Sequence, residues 1–412
     1  MPSVTVAGAN NQTVTLNFDS QSNAALANQL ASVLTAGVQN GSILPAVDTD
    51  GPPPPLPSGK TGEFIQTLSG TTSLPAGYNA YVDTAPNAIV FGSGGDNESI
   101  LADSSSNLDF FATGGSGTVV GGDSRIFIPA TDNGDWSINT GNGSNQVFAL
   151  GGGNDTITTG TGNNHLVLGS GQDLIQTSGN TIITASTGSE TVSAFGGKDL
   201  IDGNASDLFF VSQNASATIF GGTGSDTFFG GSGPDYVQGG TGGKNFLVGG
   251  SGAATLIGGG NGDQLFAGDG PGQLLEAGSG NETLVGGFGS DTFQGGGSGS
   301  STQIFGGMGN DTFISAGGVA TVTAGASSNL FAFVKSNPGG SEVINGFISG
   351  VDQIGLEGFK GNEVNHALKS QTVVNGNDTI TLSDNTKITF VGVQNLSESD
   401  FATIKQNVTP HS

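Results

Sequence analysis

Four nine-residue segments place a carboxylate at a fixed distance behind three glycines: GGTGSDTFF at 221–229, GGSGPDYVQ at 230–238, GGFGSDTFQ at 286–294 and GGMGNDTFI at 306–314. The glycines permit positive φ and a tight turn whose carbonyls point inward, and the aspartate adds an anionic oxygen at the turn's exit. With no cysteine anywhere in the chain, a thiolate site is excluded and oxygen ligands remain. That donor set is suited to calcium. The candidate ligands are Gly222, Gly224 and Asp226; Gly231, Gly233 and Asp235; Gly287, Gly289 and Asp291; and Gly307, Gly309 and Asp311. Asp155, Asp173, Asp199 and Asp263 join them from less complete copies.

The elements that must position these groups follow from the period. Taking as a slot the residue two before an apolar position, Asn145, Asp155, Asn164, Asp173, Glu190 and Asp199 fall 10, 9, 9, 17 and 9 residues apart. Asp226, Asp235, Asn245, Ala254, Asp263, Gln273, Glu282 and Asp291 continue at 9 or 10, and Thr302 and Asp311 close the series. A nine-residue period of this kind marks a solenoid. The half after the aspartate is a three-residue strand with one inward apolar residue, here Phe228, Val237, Phe293 and Phe313, whose rings are expected to stack along the axis. Two nonapeptides make one coil of eighteen residues, and a cation sits between turns one coil apart. The clearest acidic pair at that distance is Asp155 with Asp173; Asp235 faces Ala254, and Asp226 faces Asn245 at nineteen. Slots holding Asn, Gln, Thr or Ala are expected to use amide and hydroxyl ladders instead of metal, so calcium ions should be fewer than coils.

These repeats resemble those of the RTX, or hemolysin-type calcium-binding, proteins of Gram-negative bacteria. The tail, with FISGVDQIGL at 347–356 and TITLSDNTKITFVGV at 379–393, is similar to that family's C-terminal region. The resemblance implies an all-β, right-handed parallel β-roll, calcium as the cofactor, and export through type I secretion machinery that reads an uncleaved C-terminal signal. It also implies an extracellular or cell-surface location and a chain that stays unfolded until it meets calcium outside. The net charge of −25 supplies a mechanism, since self-repulsion disfavours the compact chain until cations bind.

The remainder of the chain divides around the roll. VTVAG and TVTLNF within 3–18 read as short strands, and SQSNAALANQLASVLTAGV reads as a helix capped by Ser20 or Ser22. Its apolar stripe is Leu26, Leu30, Val33 and Leu34, meeting either its own protein or a neighbouring subunit. The expected divisions are an N-terminal strand-helix unit at 1–47, a proline-rich linker at 48–61 that holds it apart, an irregular solenoid start at 62–133, the roll at 134–338, and a C-terminal β cap at 339–412. The cap covers the apolar core and strand edges that a solenoid end exposes, and five of the nine basic residues lie in or near it: Lys335, Lys360, Lys369, Lys387 and Lys405.

Several function classes are excluded. Nine basic against 34 acidic residues argues against nucleic-acid binding, and no apolar run reaches transmembrane length. No basic-then-apolar N-terminal signal is present. Neither H-E-x-x-H nor G-x-S-x-G occurs, and His165, His366 and His411 are the only histidines. His165 follows a slot and reads as a solvent-facing strand residue. Asp96, Glu98, Asp103 and Asp109, with Trp136, lie outside the explicit repeats and define no pocket. The chain is therefore not expected to be an enzyme. It is expected to be a secreted, calcium-stabilised structural protein that self-assembles as a homo-oligomer or polymer in a surface layer, fibre or biofilm matrix, with an adhesive role as one form of this. The alternative is a monomeric extracellular module that binds cell-surface polysaccharide or ice.

Overall fold

A computed structural model describes residues 1–129, 131–335 and 339–402. Lys405, His411 and the end of the tail, where the export signal was expected, lie outside the described residues. The chain falls into two compact units, Met1–Phe209 and Phe210–Ser412.

The first unit is a parallel β-roll whose chain alternates between two sheets, so that hydrogen-bonded neighbours are one coil apart. One sheet runs from Ile43–Val47 and Thr61–Gln66 through Tyr78–Asp83, Glu98–Ala102, Gly117–Val120, Trp136–Asn139, Thr156–Thr158 and Gln172–Thr177 to Ser189–Ala194. The other runs from Gly70–Ser73 to Lys198–Asp202. In-register apolar residues fill the interior from both sides. Phe64, Tyr81, Ile100, Val119, Ile138, Ile157, Ile175 and Val192 form one buried row, and Val90, Phe110, Ile126, Val147, Leu166, Ile183 and Ile201 the other. Each coil alone exposes its apolar residue; stacking buries it.

The N-terminal segment packs on this roll. Strands β1 (Ser3–Ala7) and β2 (Thr13–Asn17) form an antiparallel hairpin beside helix α1 (Gln21–Asn40). Val4, Val6, Leu16 and Phe18 bury against Ile65, Val82, Leu101 and Val120 from the outer face of the first sheet. Ser20 Oγ accepts the Asn23 N–H at 3.0 Å, which caps the helix, and Gly41 ends it at φ 73°. The buried face of α1 is Asn23, Ala24, Ala27, Ala31, Leu34 and Gly37. This corrects the expected stripe: Leu26 and Leu30 are half-buried, and Val33 is 68% exposed. Small residues win because they allow the closest approach; a Cβ on Gly37 would collide with the Ile43 side chain. The proline-rich segment at 48–61, expected as a linker that holds the N-terminal unit apart, instead joins two paired strands. Ile43–Val47 pairs directly with Thr61–Gln66, and Tyr78 Oη donates to the Pro54 carbonyl at 2.7 Å, so the prolines form a loop pinned to the coils it joins.

The second unit repeats the two-sheet plan with shorter strands. Phe228, Leu247, Leu265, Leu284, Ile304, Val322, Ile344 and Phe390 form one inner row. Ile219, Val237, Leu256, Leu275, Phe293, Phe313, Phe331 and Ile354 form the other. Ring stacking is local: Phe293, Phe313 and Phe331 stack at centroid distances of 5.3 and 4.9 Å and Phe228 stacks on Phe210 at 5.8 Å, but the next neighbours of Phe228 and Val237 are Leu247 and Leu256. Parallel stacking stops where Lys387–Val391 pairs antiparallel with Asn377–Thr381. Beside this hairpin lies α2 (Glu363–Lys369), whose Glu363 accepts the Ser383 N–H and hydroxyl.

Candidate metal centre

Every slot residue from Asn145 to Asp311 is buried. The reason is a backbone requirement. Where a turn enters a strand, the slot residue's N–H faces the next coil in a dry interior and must be accepted there. An oxygen of the next slot side chain does this where there is one; Asp235, which faces Ala254, donates its N–H to the Ala253 carbonyl at 3.0 Å. In the first unit Trp136 N donates to Asp155 Oδ1 at 2.8 Å, Asp155 N to Asp173 Oδ1 at 2.9 Å, and Thr181 N to Asp199 Oδ1 at 3.0 Å. In the second, Ala217 N donates to Asp235 Oδ1, Asp226 N to Asn245 Oδ1, Asn245 N to Asp263 Oδ1, Gln273 N to Asp291 Oδ1 and Asp291 N to Asp311 Oδ1, at 2.8 to 3.2 Å. One carboxylate oxygen is thereby committed to the fold, and the second is left to the turn.

The second oxygen meets a crowded corner. Asp263 Oδ2 accepts from Gly259 N and Gly260 N, Asp291 Oδ2 from Gly287 N, and Glu282 Oε2 from Gly278 N. Glu282 Oε1 and Asp311 Oδ2 are buried without a hydrogen-bond partner. The turn glycines stack so closely that a Cβ on Gly309 would collide with the Gly289 carbonyl, and Gly307 and Gly309 take φ of 85° and 115°. Only glycine allows both the approach and the conformation. Carbonyl ladders therefore line the corners beside the acids.

The register sets which acids face each other. Asp155, Asp173 and Glu190 occupy successive coils of one column. Asp263 is followed by Glu282, and Asp291 by Asp311. Asp235 faces Ala254 and Asp226 faces Asn245, as spacing implied, and the structure adds that Asp199 follows Thr181. The two later pairs depart from an eighteen-residue spacing because extra turn residues, such as those between Gly295 and Ser300, loop outward and leave strand register intact. Their signal was the unbroken slot series, in which Glu190 and Glu282 stand as full members.

Burial raises Asp155, Asp173, Glu190, Asp235, Glu282, Asp291 and Asp311. Desolvation is the first cause throughout, carrying Asp155 and Asp311 to about 7, Asp173 and Asp235 to about 6, and Glu282 to about 8. Repulsion from Asp173 adds to Asp155, from Asp291 to Asp311, and from Asp263 to Glu282. Each pair needs either a proton or a cation. Among the described residues no three His, Cys, Asp or Glu side chains converge as a metal-binding group, so an ion here must also draw on turn carbonyls. Partnerless buried oxygens, paired carboxyls and carbonyl ladders fit calcium, a hard cation that takes many oxygen ligands.

The RTX calcium-binding nonapeptide repeat family model matches residues 139–175, 176–207, 218–237, 239–274, 276–298 and 303–322. The chain carries RTX calcium-binding repeats. No curated protein matches it. The RTX repeats thus coincide with the coils whose slots hold the candidate ligands, and they extend over Asn145 and Asn164, where the slot is neutral. Outside them the same inner position is held by Glu98 and Trp136 in the first unit and by Asp352 in the second, so the roll outlasts the motif. His165 lies on the strand Asn163–Leu168, half-buried and edge-on to Phe148 at 6.1 Å. No described helix is long and apolar enough to cross a membrane.

Proposed function

We propose that the chain is a secreted protein whose RTX repeats fold around calcium outside the cell, and whose folded roll is a structural component that self-assembles at the cell surface or in the extracellular matrix. The observation that carries this is the stacking of buried carboxyls one coil apart, with Glu282 Oε1 and Asp311 Oδ2 left without a hydrogen-bond partner. Asp155 with Asp173, Asp263 with Glu282, and Asp291 with Asp311 would hold the ions, with carbonyls of Gly287, Gly289, Gly307 and Gly309 completing the last site. Asp199, Asp226 with Gly222 and Gly224, and Asp235 with Gly231 and Gly233 are single-acid candidates. Calcium, when bound, supplies the positive charge that lets paired carboxylates ionise side by side. Ahead of binding, those carboxyls disfavour the compact state, which suits passage through type I secretion machinery in a low-calcium compartment. The described residues are spent on the roll and its two ends, which supports a non-enzymatic role.

The test is calcium titration of EDTA-stripped protein, followed by circular dichroism and light scattering together. Coincident β-structure and large assemblies support the proposal; folding to a stable monomer overturns self-assembly.

One observation favours the binding-module reading. Phe91, Phe111, Phe127 and Phe148 form an outward row on adjacent strands at centroid distances of 5.1 to 6.4 Å, a surface on which polysaccharide could lie. Affinity electrophoresis of the Phe127→Ala variant in polysaccharide gels tests it, and retardation equal to the parent protein excludes the row. Ice binding lacks such support, because Thr292 and Thr312 are flanked by Leu274 and Leu330 on the neighbouring strands.

A further inference from the structure

The first unit's two slot columns differ in what the turn carbonyls accept. In the acidic candidates the nominated carbonyls lie four and two residues before the carboxylate, as Gly287 and Gly289 precede Asp291, and they receive backbone N–H groups from the next coil, as Gly151 O does from Ser170 N at 3.0 Å, Gly169 O from Thr187 N at 3.3 Å and Gly171 O from Ser189 N at 3.1 Å. In the neutral column those same two positions receive an N–H of the slot side chain itself. Asn145 Nδ2 donates to Gly141 O at 2.9 Å and Gly143 O at 3.0 Å, and Asn164 Nδ2 donates to Gly160 O at 3.2 Å and Gly162 O at 3.3 Å. Asn329 repeats the pattern in the second unit, with Gly325 O at 3.4 Å and Ser327 O at 3.0 Å.

Asn145 also keeps the role of the carboxylate, since its Oδ1 accepts Ser124 N at 2.8 Å. Asn164 Oδ1 instead accepts from Asn145 Nδ2 at 3.0 Å, so one Asn145 N–H is shared between two acceptors and the two amides are linked side chain to side chain. The hydroxyls at the column's ends behave alike: Ser124 Oγ donates to Gly121 O and Gly122 O, and Thr181 Oγ1 to Gly179 O. A carboxylate offers the turn only acceptors, so carbonyl and carboxylate repel until something positive lies between them. An amide nitrogen brings two N–H donors to that place without charge.

We propose that Asn145 and Asn164 stand in for calcium in their own turns, making the column Ser124–Asn145–Asn164–Thr181 a calcium-independent seam beside the calcium-demanding column Asp155–Asp173–Glu190. Exchanging one nitrogen for oxygen at the slot decides whether a turn needs the ion. The inference rests on the reading that the acid slots bind calcium, and the experiment separates the two.

Hydrogen exchange of the full chain, read by mass spectrometry in EDTA and in calcium, is the first measurement. Segments 141–149 and 160–168 should stay protected in EDTA, while 151–158 and 169–177 exchange about tenfold faster or more without calcium. If all four segments lose protection alike in EDTA and regain it with calcium, the seam is overturned while calcium binding stands. If no calcium binds, both readings fall. The second measurement is bound calcium per chain by native mass spectrometry. Asn145→Asp with Asn164→Asp should raise it and make 141–149 calcium-dependent, and an unchanged count in a folded variant overturns the proposal. Asp155→Asn with Asp173→Asn should lower the count and leave 151–158 protected in EDTA. That variant adds no charge, so it remains a test if the acidic variant does not fold.

Discussion

The coils between residues 61 and 128 and those between 221 and 314 share one plan, yet they are held by different forces. The early coils have large inner residues, Phe64, Tyr81 and Phe110, and their outer face is covered by the hairpin and α1. Their buried acids, Glu63 and Asp83, lie outside the repeat motif and are pushed up to about 8 and 7, chiefly by desolvation. The later coils centre each three-residue strand on a single inner-row residue and place acids at glycine corners. A parallel roll is thus attainable by hydrophobic cover or by cations in the turns, and the two should fail under different insults.

Removing calcium is the largest expected perturbation. In EDTA, limited proteolysis should cut within 221–314 while a fragment spanning the N-terminal hairpin and early coils resists; uniform digestion would erase the contrast. Next is Phe18→Ala. Phe18 is fully buried in the N-terminal cluster, so its truncation should cost about 3–5 kcal/mol in denaturant unfolding monitored in EDTA. Calcium affinity of the later coils should not change.

An effect of at most similar size, spread over several pH units, is expected from pH. Glu63 is raised from 4.5 to about 8 when folded, so the folded chain holds its proton more tightly than the unfolded chain. Its contribution is fully present below pH 4.5 and is lost as pH rises through about 8, by at most about 4–5 kcal/mol. Glu63→Gln should flatten the fall in stability between pH 5 and about 8, measured by urea unfolding across that range; an unchanged slope would place the titration elsewhere. The smallest is Ser20→Ala, which removes the α1 cap and should cost about 1 kcal/mol, again visible in calcium-free unfolding.

Much of the candidate site was legible beforehand because slot chemistry is local. A residue two before an inward apolar side chain must bury on a strand of period two, so Asp155, Gln273 and Thr302 were placed together despite their different chemistry. The early coils were harder to read, since Tyr78–Asp83 and Asn107–Phe111 carry the inner row without glycine-aspartate turns to announce it. The α1 face was misjudged for a related reason: apolar spacing marks Leu26 and Leu30, but close packing selected Ala27 and Ala31 in the N-terminal cluster and Gly37 against Ile43.

The nine-residue period, oxygen-only donor set, inward apolar positions and demand for cations were determined by the sequence alone, because each acts within a single turn and strand. Which slots become neighbours was decided by the tertiary structure. Asp291 meets Asp311 and Asn145 meets Asn164 through hydrogen bonds between coils, and those bonds hold strand register while turns of unequal length bulge outward. The cation requirement of a turn is local, but the pairing of acids across coils depends on the accumulated length of everything between them.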